Sequence, residues 1–215
     1  NGDDPVFGKK YKGSLSDFFD ANKLKLISPD RAADICIVYG TGAALTGIPA
    51  KLLYIDVPKN EIQFRMRAGS ITNLGANEIC EPQQMYKRFY FVDWPVLNRH
   101  KAYLLPRINY IIDEQRTSEI TWMKGDSLRN TLHKMSGQAI RPRPWFEPGV
   151  WGGDWMKKRI PHLNQEVINY AWSFELITPE NGIVIEGDGN LLEVSFDFLL
   201  YADNSKVLGK ASKRF

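Results

Sequence analysis

Short apolar runs separated by turn residues set the rhythm of roughly the first 135 positions. Residues 34–39 and 51–57 are rich in β-branched and aromatic side chains, and each is followed by turn chemistry, so both are predicted as strands. Pro58 then opens a helix over residues 59–68, which Gly69 closes. The pattern repeats with a strand at 88–92, Asp93 as a helix cap, Pro95 in the first turn of a helix reaching about residue 105, a strand at 108–113 and a helix at 126–135. Ahead of these, Ser14-Leu15-Ser16-Asp17 reads as a capping box, with Phe18, Phe19, Leu24 and Leu26 as a docking face. Strands alternating with helices, apolar on both faces, predict an α/β fold: a mostly parallel sheet with covering helices. On this pattern Cys36, inside Ile35-Cys36-Ile37-Val38, is a small core residue.

Residues 138–149 break the rhythm, because Arg141-Pro142-Arg143-Pro144-Trp145-Phe146-Glu147-Pro148-Gly149 is linker chemistry. Beyond it, strands are predicted at 169–176, 183–186 and 191–198. The turns between them, Pro179-Glu180-Asn181-Gly182 and Gly187-Asp188-Gly189-Asn190, suit antiparallel hairpins. The expected organisation is an α/β region over residues 1–140 and a smaller antiparallel β-rich segment over 141–215.

Composition narrows the function classes. Of the 215 residues, 43% are hydrophobic and 25% charged, which excludes a disordered or collagen-like chain. The longest apolar runs are too short to cross a bilayer, so no membrane partner is expected. The net charge of +3 and the lack of a Lys/Arg block give no reason to expect nucleic acid. Two cysteines, Cys36 and Cys80, make neither a disulfide framework nor a zinc site, which fits a reducing, cytoplasmic setting. Six tryptophans suit either a protein that binds a flat ring, such as a sugar, or a core packed with large apolar side chains.

Candidate chemistry is sparse. Gly40-Thr41-Gly42 follows an apolar run, where a phosphate-binding turn sits in α/β folds, although neither a Walker loop nor the dinucleotide fingerprint is present. Arg65 and Arg67, with Lys87 and Arg88 near in sequence, suit an anion-binding face or a solvated helix beside Glu61. His100, His133 and His162 are far apart and lack metal-ligand spacing. No catalytic motif is visible. Trp151-Gly152-Gly153-Asp154-Trp155 sets a large ring beside two flexible residues, as a pocket lining or as a packed corner.

Pro144-Trp145-Phe146 followed by Trp151-Gly152-Gly153-Asp154-Trp155 resembles the opening of the cupin-type (class I) mannose-6-phosphate isomerases. Tyr170-Ala171-Trp172-Ser173-Phe174, Glu180-Asn181-Gly182 and Val207-Leu208-Gly209 resemble that family's later elements, in order. Upstream, Val38-Tyr39-Gly40-Thr41-Gly42-Ala43, Tyr54-Ile55-Asp56-Val57-Pro58, Tyr86-Lys87-Arg88 and Val92-Asp93-Trp94 are similar to the nucleoside-kinase-like region of its longer bacterial members. The chain departs from the family at Asn169-Tyr170-Ala171-Trp172, where a Gly-Glu pair precedes the strand Trp, and the family's zinc ligands would fall after Phe215.

The resemblance implies a P-loop-kinase-like α/β region without a Walker loop, then a partial cupin. In a complete protein it implies isomerisation between mannose 6-phosphate and fructose 6-phosphate, with zinc held only by a downstream cupin half. Here it implies no catalytic residue or cofactor, and substrate contacts at Trp151, Gly152, Gly153, Lys157 and Arg159. The alternative is a non-catalytic module that binds a nucleotide or sugar phosphate and regulates. A half cupin also leaves strand edges to pair, within a homo-oligomer or with another part of the chain.

Overall fold

Three strands bounded by prolines and polar turns form the central sheet. The computed structural model describes residues 8–136, 142–145, 158, 161–162, 164–166, 173–176 and 183–194. They fall into two compact units, residues 1–136 with 181–215, and residues 137–180.

In the first unit a 3-10 turn, Leu15–Phe18, leads to helix α1 (Ala21–Leu26), whose N-cap Asp20 accepts the amides of Asn22 and Lys23. The Ser14 amide donates to Asp17 at 2.9 Å, so the predicted capping box is present, but it caps the 3-10 turn. Leu26 stays exposed, which corrects its place on a docking face: six residues make too short a helix to bury a full stripe.

Strand β1 (Leu53–Asp56) runs parallel to β2 (Tyr110–Asp113), and β3 (Thr121–Lys124) lies antiparallel to β2. The fold is thus mixed α/β, and its small mixed sheet corrects the mostly parallel one expected. The seven residues 114–120 between β2 and β3 are too few for a parallel crossover, so the chain doubles back. Gly125, directly after β3, donates to the Asn109 carbonyl at 2.7 Å, and a Cβ there would collide with the Ile108 carbonyl. Only glycine permits that approach.

Between β1 and β2 come α2 (Lys59–Arg67), α3 (Pro82–Arg88), a π turn at Phe89–Asp93 and α4 (Trp94–Leu104). Helix α2 ends as predicted at Gly69: Ser70 donates to the Arg65 carbonyl and Gly69 to that of Met66, both orphan carbonyls of the last turn. The strand expected at 88–92 is helical. Pro82 starts the run, and Met85 and Phe89 recur four residues apart to bury one face with Met66; this period overrides the β preference of the aromatics. Asp93 is accordingly not a cap but a buried side chain within the run.

Pro95 explains the widened turn. It has no N–H to offer the Phe91 carbonyl four residues back, and its ring crowds that carbonyl. The Phe91 oxygen instead accepts the Tyr11 amide at 2.8 Å, and Arg99, one turn onward, donates to the carbonyls of Tyr11 and Gly13. The segment 8–13 is tied across the helix at the point where its own ladder is broken.

Helix α5 (Gly125–Ser136) and the hairpin β6 (Ile183–Gly187) and β7 (Asn190–Val194) complete this unit. Their turn has Asp188 at φ 52° and Gly189 at φ 76°, the two positive angles of the predicted Asp-Gly turn. The Asp188 carboxylate accepts the Lys124 amide at 2.7 Å, and the Glu193 amide donates to Asp113 at 3.0 Å. Ile111, Met123, Leu128, Leu132, Leu192 and Val194 are fully buried there. Alternation places Leu53, Ile55, Tyr110, Ile112 and Trp122 on the opposite sheet face, with Leu53, Ile55 and Trp122 about half exposed.

In the second unit β4 (Pro142–Trp145) pairs antiparallel with β5 (Ser173–Leu176), setting Arg143 opposite Glu175. The proline-rich stretch expected as linker is therefore partly a strand, and β5 pairs with it, not with β6. Pro142 and Pro144 alternate, so their missing N–H groups share one edge.

One expectation fails outright. Residues 34–39 form no strand, and Ile35, Ile37 and Tyr39 are 79%, 81% and 85% exposed; Cys36 is exposed, not a core residue. Nothing among the described residues pairs with this run, and an unpaired β-former has no reason to stay a strand.

Candidate functional site

Ligands in open α/β sheets gather beyond the carboxyl ends of parallel strands. Here that end is closed by internal pairing. Asp56, last in β1, meets Lys101 of α4 at 2.9 Å with both side chains buried. Its register neighbour Asp113 accepts the amides of Gln115 and Glu193.

Arg65 belongs to the same construction. Its Nε donates to Glu61 and its Nη1 to Glu114, each at 2.8 Å, while Nη2 donates to the Glu114 and Gln115 carbonyls. Burial alone would lower its pKa, but the two carboxylates outweigh that and hold it above the ordinary value. Arg65 clamps α2 to the segment after β2.

Arg67 differs. Two residues on, it projects from another face of α2 and forms no ion pair among the described residues. With Gln63 and Met66 it lines a cleft of about 210 Å³ whose other wall is Pro82, Gln83 and Tyr86 of α3. The floor is apolar, because Met66 packs with Met85 and Phe89 beneath it. Tyr86 is 43% exposed and begins an aromatic row, with the Tyr90 ring 6.3 Å away and that of Trp94 5.4 Å from Tyr90. A cation, two amides and an exposed ring over an apolar floor can hold a ring bearing an anionic group. The volume lies below the roughly 300–1,000 Å³ of pockets that enclose drug-sized ligands. A monosaccharide phosphate or a single nucleotide is the appropriate scale.

The other expected residues stand apart. Gly40 has φ 130° and is exposed; Gly42 is buried with the Phe19 ring against it, and it leads into the 3-10 turn Ala43–Thr46. No hydrogen bond or ion pair links Gly40, Thr41 or Gly42 to Arg65 or Arg67 among the described residues. Trp151, Gly152, Gly153, Lys157 and Arg159 lie outside the described residues. Arg88 serves the fold: it donates to the Leu74 carbonyl and lies 3.8 Å from Asp93. Sequence reasoning missed Gln63, Gln83 and Tyr86. The signal for Tyr86 was the spacing Tyr86, Tyr90, Trp94, four and four, on one helix face.

Beneath the helical run, Asp93 accepts Asn73 Nδ2 at 2.6 Å and the Leu74 amide at 3.3 Å, while its second oxygen, also buried, has no hydrogen-bond partner. Burial pushes its pKa up, against the pull of these donors and of Arg88. Asp93 and Asn73 are both buried, so this group belongs to packing. Among the described residues no group of three His, Cys, Asp or Glu gathers as metal ligands, so they do not fit zinc, and no helix is long and apolar enough to cross a membrane.

No curated protein and no solved structure matches the chain. A family model matches residues 1–137, which takes in the whole helical run and the cleft, and the chain thereby belongs to the family described as "Domain of unknown function (DUF8485)".

Proposed function

We propose that residues 1–137 are a non-catalytic binding module for a small phosphorylated ring, a sugar phosphate or a nucleotide, held in the cleft between α2 and α3. The observation that carries this reading is Arg67, a guanidinium with no ion pair among the described residues, set beside the Tyr86 ring. Arg67 would take the phosphate through its planar fork, Tyr86 would stack on the ring, and Gln63 and Gln83 would read polar edges.

In a complete protein the module would regulate a mannose-6-phosphate isomerase-like part. That larger reading rests on the order of Trp151-Gly152-Gly153, Tyr170-Ala171-Trp172 and Glu180-Asn181-Gly182. A P-loop-kinase-like origin for the α/β region and a cytoplasmic setting belong to the same proposal, the parallel β1–β2 pair supporting the former.

Thermal shift with mannose 6-phosphate, UMP and ATP, and with mannose and uridine as uncharged controls, tests it. A phosphorylated ligand at a hundred times its dissociation constant adds about 2.7 kcal/mol. Stabilisation by a phosphorylated compound alone, lost in Arg67→Gln and weakened in Tyr86→Ala, is the expected result. No shift with any compound, or a shift that Arg67→Gln leaves intact, overturns it.

A further inference from the structure

Two features of the first unit complement each other. The carbonyl of Leu52, just before β1, accepts the Tyr110 amide and that of Asp56 accepts Glu114, so alternate positions from Leu52 to Asp56 face β2. By the same alternation the backbone groups of Leu53 and Ile55 face outward, and among the described residues they have no partner. This edge carries apolar side chains 55% and 45% exposed, with no proline, bulge or charge on those two residues to guard it. Residues 34–39 are the reverse: alternating Ile35, Ile37 and Tyr39, strongly exposed, with no backbone hydrogen bond among the described residues. One part is a sheet edge without a strand, the other a strand without a sheet.

We propose that two copies of the chain exchange residues 34–39, each adding as a parallel strand to the β1 edge of the other. Charge sets the direction. In parallel alignment Ile35 stands beside Leu53 and Ile37 beside Ile55, which brings Asp34 to the end of the edge where Lys51 precedes β1; neither makes an ion pair among the described residues. Antiparallel alignment would bring Asp34 to the end that holds Asp56. Exchange between copies is favoured over folding back because the connection is built in: Ala43 bonds Gly40, Leu45 bonds Gly42, and the Phe19 ring sits against Gly42. The apolar side chains of the arriving strand lie beside Leu53 and Ile55 and cover them. Because donation is reciprocal, the assembly closes at two copies and leaves neither β1 edge open.

The test uses the full chain with Cys36→Ser and Cys80→Ser, carrying Ile37→Cys and Ile55→Cys, exposed positions whose substitution spares the core. Oxidation should give a covalent species at twice the 24.6 kDa of the chain. Light scattering of the unmodified chain should show a dimer, and Ile37→Lys should raise its dissociation constant about tenfold or more. A monomer at every concentration, an intrachain disulfide, or a dimer that Ile37→Lys leaves unweakened overturns the proposal.

Discussion

Residues 34–39 and strand β2 carry nearly the same chemistry, Asp-Ile-Cys-Ile-Val-Tyr against Tyr-Ile-Ile-Asp, yet one lies exposed and the other holds the centre of the sheet. The difference lies in what surrounds them. Strand β2 has a neighbour on each side, the Asn109 side chain accepting the Leu52 amide at its entry, and buried residues of α5 and β7 on the face of Ile111. Residues 34–39 have none of these. β-propensity describes a fit to a pleated, half-buried surface, and it has no meaning where that surface is missing.

Removing the supports of β2 one at a time should break the contrast. Lys101→Met leaves Asp56 buried without its cation and should cost about 3–5 kcal/mol, read as a lower denaturant midpoint. Ile111→Ala empties a fully buried site and should cost about 2–5 kcal/mol, while Ile37→Ser, measured on dilute protein, should stay within about 0.5 kcal/mol. Equal losses at the two isoleucines would mean that residues 34–39 are buried in solution. Asn73→Ala, in the helical layer, should cost about 1–3 kcal/mol by stripping a donor from Asp93, and should push that carboxyl higher still.

The smallest effect is a titration. Burial, with the nearby Arg107 charge as a lesser contribution, holds His100 of α4 below its ordinary pKa of 6.5. The unfolded chain therefore takes up the proton first, so this contribution to stability is present above 6.5 and lost as pH falls through the folded value. His100→Gln should flatten that fall in a series of melting temperatures.

Local signals read best where the fold agreed with them. The Gly69 helix end, the Asp188-Gly189 turn, the strands after Lys51 and Ile108 and the helix after Asp126 were all legible, because each depends on neighbours a few residues away. Residues 88–92 misled because Phe89 answers to Met66 and Met85 in packing, not to its own β preference. The reversal before β3 was set by a connection length whose meaning needed both strand ends. For the cleft, Arg67 was visible and Arg65 looked equivalent. Glu61, four residues earlier, already favours Arg65 as the paired one, and Glu114, 49 positions away, completes a clamp that no local pattern shows.

The bond between Tyr11 and Phe91 bears on how the chain is made. Tyr11 is synthesised 88 residues before Arg99, the side chain that takes its carbonyl. At roughly 5–20 residues per second a ribosome needs about 4–18 seconds to cover that distance. Through that interval residues 8–13 have no groove to enter, since Phe91 offers its carbonyl only once Pro95 has opened the turn. An early-made segment is thus among the late ones to settle, and the amide of Tyr11 becomes a clock: its protection from exchange during synthesis should appear only after the helix through Arg99 has formed.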